Sequence, residues 1–230
     1  MPKVAVAEGN NPSRAIREAL DNLGDAFIDL AKSAKSICIV STGSVEATQA
    51  VIDAIVLHSR VPIHVLSADD EGDVVEATIP RGDDVRMPIR RPRSVFDVDV
   101  VISLVPMLAG HHRRTALSIE QYCFATWYVP ERRTAHGFVR SHEPWLEGEL
   151  RDVVLADLYA QRPIDLAIID GAATAGVTFA SFDPVAVDAV VMHTAGLDPE
   201  SVGYLLALSR QGIGVCTLSK IDIPLGMISS

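Results

Sequence analysis

Two short stretches near the carboxyl end of the sequence decide the fold, Asp165-Leu-Ala-Ile-Ile-Asp-Gly171 and Asp183-Pro-Val-Ala-Val-Asp188. The first is an apolar run between two acids, which predicts a buried strand that ends at Asp170 and Gly171. The second predicts the start of an apolar helix, because aspartate followed by proline is typical of an N-cap and a first helical position. A buried strand beside a buried helix indicates a sheet that is covered on both faces.

Asp188 lies one turn inside this predicted helix, where nearly every neighbour from Val185 to Met192 is apolar. A carboxylate in such a setting is unfavourable unless it has a partner or serves a function. An arginine or backbone donors would explain it structurally, and a paired buried acid is also typical of active sites. Because Asp170 ends the preceding strand, we expect the two carboxylates to converge on one site.

The rest of the 230-residue sequence continues the alternation of strands and helices. Strands are predicted near residues 3–8, 36–41, 61–66 and 99–105, with a last one in the tail after 212. Helices are predicted near 14–31, from Ser44 to about 58, and near 145–159, 184–195 and 199–211. Short strands or a hairpin are predicted over residues 69–94, and a loop is predicted over 171–181. The expected fold is one α/β domain over residues 1–230, with a mixed, mostly parallel sheet, helices on both faces and an irregular central insertion.

Composition excludes several classes of protein. The net charge of −10 argues against nucleic acid as a partner. No apolar run is long enough to cross a bilayer, and the first residues lack a secretory signal, so we expect a cytoplasmic protein without a membrane partner. Cys38, Cys123 and Cys216 lie far apart, which argues against a disulfide framework, a zinc knuckle or an iron–sulfur cluster held by this chain alone. The apolar content of 48% is compatible with a homo-oligomer.

The irregular segment at about 106–144 holds four of the seven histidines and several arginines. His111 and His136 are candidate acid/base groups or metal ligands, although neither has a recognised metal-binding spacing. Arg113 and Arg114 are candidates for neutralising an anion. Polar side chains that pin a long surface loop explain the histidines equally well.

Thr42-Gly43-Ser44 follows a predicted strand and precedes a predicted helix. Backbone N–H groups at such a place are able to accept a small anion. The residues match no phosphate-binding fingerprint, however, and a plain N-cap turn explains them better.

The carboxyl-terminal third resembles the family known as domain of unknown function 362. The matching residues are Asp165 to Gly171, Asp183 to Asp188, Gly196-Leu-Asp-Pro199, Tyr204-Leu and Gly212-Ile-Gly214. Weaker similarity includes Arg17 to Leu20, Val105-Pro106 followed by His111, and His136 or His142. The resemblance implies an α/β fold with a buried acidic motif. Many relatives carry ferredoxin-like cysteine motifs that this chain lacks, so a shared iron–sulfur role would place the cluster in a partner.

The chain departs from the family pattern at several lysines. It has Val40-Ser-Thr42 where the family has Lys-Pro-Asn, Ala109 where a lysine precedes the central histidine, and Glu120-Gln121 where a Lys-Asn pair is usual. Loss of these cations would weaken an anion site that they built.

Together these features predict an enzyme or enzyme-like protein that acts on a small anionic ligand. The catalytic candidates are His111, His136 and Asp188, and the ligand-binding candidates are Arg113, Arg114, Asp170 and Gly171. Asp170, Asp183 and Asp188 would form an acidic wall able to hold a divalent cation as cofactor. The alternative is a non-catalytic binding or assembly protein that keeps the fold and has lost the chemistry, with an iron–sulfur protein as a candidate partner.

Overall fold

The computed structural model describes residues 1–66, 73–82, 85–107, 117–127, 133–134, 137–138 and 148–224. In these residues the strands are β1 (Ala5–Glu8), β2 (Ile37–Ser41), β3 (Ile63–Leu66), β4 (Val74–Gly82), β5 (Val85–Pro92), β6 (Val100–Pro106), β7 (Arg133–Thr134), β8 (Gly137–Phe138), β9 (Leu166–Gly171) and β10 (Val177–Ser181). The helices are α1 (Pro12–Leu23), α2 (Asp25–Ser33), α3 (Val45–Val56), α4 (Ser118–Ala125), α5 (Gly148–Gln161), α6 (Ala172–Ala175), α7 (Pro184–Thr194) and α8 (Gly203–Arg210).

The main sheet has the strand order β1-β10-β9-β6-β2-β3. The pairs β9–β6, β6–β2 and β2–β3 are parallel, whereas β10 runs antiparallel to both of its neighbours. Ile39 in β2 faces Val65 on one side and Ile102 on the other. The predicted α/β class, with a mixed and mostly parallel sheet, is confirmed.

Each face of this sheet has its own hydrophobic core. Ile37 and Ile39 of β2 pack on the face covered by α1, α2 and α3, called here the first face. Cys38 and Val40 pack on the opposite, second face, which α4, α5, α7 and α8 cover. Because successive residues of a strand point to opposite faces, a strand that is covered on both sides must be apolar throughout.

Two predicted segments are wrong, and a third is only partly described. The helix expected over 14–31 is two helices, which Gly24 separates with a φ of 68°. The loop expected over 171–181 contains α6 and β10. The strand expected after 212 is absent from the described residues up to 224. In that stretch Leu218–Lys220 forms a 3-10 turn, and Asp222 forms an isolated bridge with Lys3.

The segment at about 106–144 is only partly described, and α4 within it was not predicted. The hairpin expected over 69–94 is confirmed as β4 and β5. In the described part of the chain, no helix has both the length and the apolar character that crossing a bilayer requires.

Arg91 attaches the hairpin to the second face. Its side chain is fully buried, and its Nη1 and Nη2 atoms donate to the Leu158 carbonyl at 2.8 Å and to Thr126 Oγ1 at 3.0 Å. The guanidinium also lies 5.2 Å from the ring centre of Phe96 and 5.7 Å from that of Tyr122. Within the described residues Arg91 has no carboxylate partner, so carbonyl, hydroxyl and π groups must stabilise its charge.

We expect Arg91→Lys to lower the free energy of unfolding by about 3 kcal/mol, because one ammonium group cannot reproduce the fork of donors between two rings. Urea titration of the purified protein measures the change. Arg90→Lys, at the exposed neighbouring position, is the control and should cost about 0.5 kcal/mol or less. Equal losses in the two variants would contradict the anchoring role.

Candidate functional site

Asp183 caps α7, as the sequence predicted. Its Oδ1 atom accepts from the Ala186 N–H at 2.9 Å, and Pro184 is the first residue of the helix. Its Oδ2 atom accepts from the Val215 N–H at 3.0 Å. A Cβ atom at Gly214 would lie 2.5 Å from Asp183 Oδ1, so a glycine is needed for the chain to pass this close. Both carboxylate oxygens are therefore engaged by backbone groups.

Asp188 is fully buried, and its partner is the N-terminus of α4. Oδ1 accepts from the Ser118 N–H at 3.0 Å and from Ser118 Oγ at 2.5 Å, and Oδ2 accepts from the Ile119 N–H at 3.2 Å. The first N–H groups of a helix have no partner within the helix, and a negative charge is favourable there. Of the two structural explanations expected from the sequence, backbone donors rather than an arginine bind this acid.

Two opposing effects act on the pKa of Asp188. Burial raises the pKa to about 7, because a charged carboxylate loses its hydration inside the protein. The hydrogen bonds from Ser118 and Ile119 lower it, since they stabilise the ionised form, and the nearby charge of Asp183 raises it further. The acid therefore changes its protonation near neutral pH.

Asp170 does not converge with Asp188. In β9, Asp170 follows Leu166 and Ile168 at intervals of two residues, so it shares the first face with them, whereas α7 covers the second. Oδ1 of Asp170 accepts from the Ala172 N–H at 3.1 Å and from Thr178 Oγ1 at 3.3 Å. These bonds hold the turn between β9 and β10, so the expectation of one shared acidic site is wrong.

Gly171, a predicted ligand-binding residue, has a structural explanation. It is buried at the end of β9, and a Cβ atom there would lie 2.6 Å from the carbonyl oxygen of Val177 and 3.0 Å from the sulfur of Met107. Only a glycine permits this approach of β10 to β9. The contact does not test ligand binding, which stays a prediction for this residue.

The three acids do not fit a shared divalent cation. Asp170 lies on the first face of the sheet and Asp188 on the second, and the oxygens of Asp183 and Asp188 already accept backbone N–H groups. Across the described stretches of the chain, no three His, Cys, Asp or Glu residues are grouped so that they could hold a metal ion. The other predicted site residues, His111, His136, Arg113 and Arg114, lie outside the described residues, and their roles stay predictions.

β2 and β6 are neighbouring parallel strands, and the region above their carboxyl ends is called here the crevice. The chain leaves β2 through α3 on the first face to reach β3, and it leaves β6 through α4 and α5 on the second face to reach β9. The connections thus diverge at the carboxyl ends of β2 and β6. Open α/β sheets bind ligands at such a switch point.

Polar side chains join the two strand ends at this crevice. Thr42 Oγ1, just after β2, donates to Gln121 Oε1 at 2.8 Å, and Gln121 Nε2 donates to the Pro106 carbonyl at the end of β6 at 3.1 Å. Ser44 Oγ accepts from the Ala47 N–H at 3.1 Å and caps α3, which confirms the predicted N-cap turn. Gln121 was not singled out from the sequence, because α4 was not predicted.

A concave surface lies along α1. Its lining residues are Asn11, Ser13, Arg14, Arg17, Glu18 and Asp21. Asn11 caps the helix, and Arg17 pairs with Asp53 at 3.0 Å, so these polar groups already have partners within the chain. The mixed charge of this exposed groove favours no ligand class.

Comparisons with protein-family models, curated protein sequences and solved structures find no match to this chain. The resemblance to domain of unknown function 362 therefore stays a prediction based on the quoted residues.

The raised pKa of Asp188 predicts a pH dependence of stability. The folded state binds this proton more tightly than the unfolded state, so the contribution of Asp188 is fully present below about pH 4 and is lost as the pH rises to about 7. The expected slope approaches about −1.4 kcal/mol per pH unit within that window.

Urea unfolding at several pH values from about 5 to about 8 measures this slope, and Asp188→Asn should remove it. Asp183, whose pKa burial also raises, stays in both proteins, so a slope that remains in Asp188→Asn belongs to Asp183 and the other titrating groups. Parallel pH profiles for the two proteins would show that Asp188 does not titrate in this range.

Proposed function

We propose that this protein binds a small anionic ligand in the crevice at the carboxyl ends of β2 and β6. The observation that carries the proposal is the divergence of the two connections, through α3 on the first face and through α4 on the second. In open α/β sheets this arrangement leaves a space above the strand ends that no helix covers.

The positive potential expected at the crevice supports an anion as the ligand. The N-terminus of α3 begins at Val45, and the aligned peptide dipoles of this twelve-residue helix give that end a positive potential. Glu46, the acid in the first turn, accepts a hydrogen bond from Ser13 Oγ of α1 at 3.1 Å. Arg113 and Arg114 follow β6 in the sequence and would add cationic groups.

Between the two functional hypotheses, the binding protein has the better support. Asp183 and Asp188 cap helices, and Asp170 holds a turn, so each acid has a structural task. A catalytic role would then depend on His111 and His136. The net charge of −10 supports a small molecule rather than nucleic acid as the ligand, and the sequence composition supports a cytoplasmic location.

Gly43 offers a test of the site. A Cβ atom there would lie 3.5 Å from Leu104 Cγ, which is ordinary van der Waals contact, and its φ lies outside the left-handed region. We expect Gly43→Ala to bind inorganic phosphate like the unchanged protein. Gly43→Asp should bind it at least about tenfold more weakly, because the new carboxylate occupies the same positive potential.

Phosphate titration followed by ¹H–¹⁵N NMR measures both affinities and locates the site. The shifted amides should cluster at Thr42 to Glu46 and at Gln121. Shifts that cluster elsewhere, or equal affinities in the two variants, would contradict the proposed crevice.

Metal analysis tests the enzyme hypothesis with its acidic cation site. For protein purified without a histidine tag, we expect the same divalent-metal content in the unchanged protein and in folded Asp188→Asn, because the Asp188 carboxylate is bound to α4. A stoichiometric cation that disappears in Asp188→Asn would reverse the preference and support the enzyme.

A further inference from the structure

The eight-residue helix α4 lacks a cap of its own. Its N-cap position is Leu117, whose side chain makes no capping hydrogen bond. The N–H groups of Ser118 and Ile119 are instead satisfied by Asp188, which is 70 and 69 residues further along the chain. The start of α4 is therefore held by a residue of α7.

The same helix reaches the crevice one turn later. Gln121 follows Ser118 by three residues, which places it about one helical turn further along α4. Its amide joins Thr42 Oγ1 at the end of β2 to the Pro106 carbonyl at the end of β6. Since a helical turn moves as a unit, a shift at Ser118 also moves the Gln121 bridge.

The surroundings of Asp188 make the contact with α4 its main stabilising interaction. Asp183, the N-cap residue of α7, adds a like charge, and the neutral side chains of Cys123, Tyr159 and Tyr204 from α4, α5 and α8 are close enough to interact with Asp188. In the described part of the chain no arginine or lysine forms an ion pair with Asp188, and the buried Tyr204 hydroxyl has no hydrogen-bond partner. If the N–H groups of α4 move away, the carboxylate remains buried with few compensating groups.

We propose that Asp188 is a positioning residue for the crevice: through the N-terminus of α4 it sets the place of Gln121 between β2 and β6. This inference rests on the proposed function for its biological meaning, because the crevice is the proposed anion site. The place of Gln121 is nevertheless measurable without a ligand.

Asp188→Asn is the direct test. The amide has one acceptor oxygen where the carboxylate has two, and its NH₂ group would face an N–H donor of α4. We expect hydrogen exchange at the amides of α4 to rise at least about tenfold, and the side-chain NH₂ resonances of Gln121 to shift, while β2 and β6 stay protected. Phosphate affinity at the crevice should fall in parallel.

Asp198→Asn is the matched control. Asp198 Oδ1 also caps a helical turn, by accepting from the Glu200 N–H at 3.0 Å, but the turn is the short Pro199–Ser201 segment. The same chemical change there should leave α4, Gln121 and phosphate binding unaltered. Ser118→Ala is a milder second variant, which removes the hydroxyl donor and keeps both backbone donors, and it should give smaller changes at the same residues.

The readouts separate this inference from the proposed function. Faster exchange spread evenly over the sheet and α4, with unchanged Gln121 resonances in folded Asp188→Asn and Ser118→Ala, would make Asp188 merely structural and overturn the inference. If the unchanged protein binds no phosphate while Gln121 responds to both substitutions, the proposed function fails and the positioning role stands.

Discussion

The hydrogen bonds between the Asp188 carboxylate and the first N–H groups of α4 are the constraint on which one side of this protein depends. They join two helices that are distant in sequence, and they satisfy a buried acid and an uncapped helix end together. Either group alone would be costly inside the protein, since neither would reach water. The arrangement of α4 and α7 is thus specified by polar groups, whereas apolar packing provides most of the stabilisation.

Much of the sheet follows from local sequence, because a strand covered on both faces needs an uninterrupted apolar run. Ile37–Ser41 and Leu166–Gly171 show that pattern, and the Asp-Pro pair predicted the start of α7 correctly. The helix α4 was missed for a physical reason. Its N-cap position is Leu117, and the carboxylate that binds its first N–H groups lies in a distant part of the chain, so proximity in sequence does not reveal the contact.

The prediction of one shared acidic site was wrong for a different reason. The sequence places carboxylates at the end of β9 and within α7, and proximity along the chain favoured one shared site. The side chains of a strand point to alternate faces of the sheet, however, and Asp170 lies on the face that α1, α2 and α3 cover. By contrast, the crevice at β2 and β6 depends on which strands are neighbours, and no sequence motif records that order.

The bridge between Lys3 and Asp222 bears on the order of synthesis. The amide of Val4 donates to the Asp222 carbonyl at 2.9 Å, and β1 pairs on its other side with Val177–Ser181. β1 precedes both of these partners along the chain, so neither of its edges has a neighbour until β10 has been synthesised. During translation β1 is an unpaired edge exposed to other chains, and the long sequence separation of its contacts slows the final closure of the sheet.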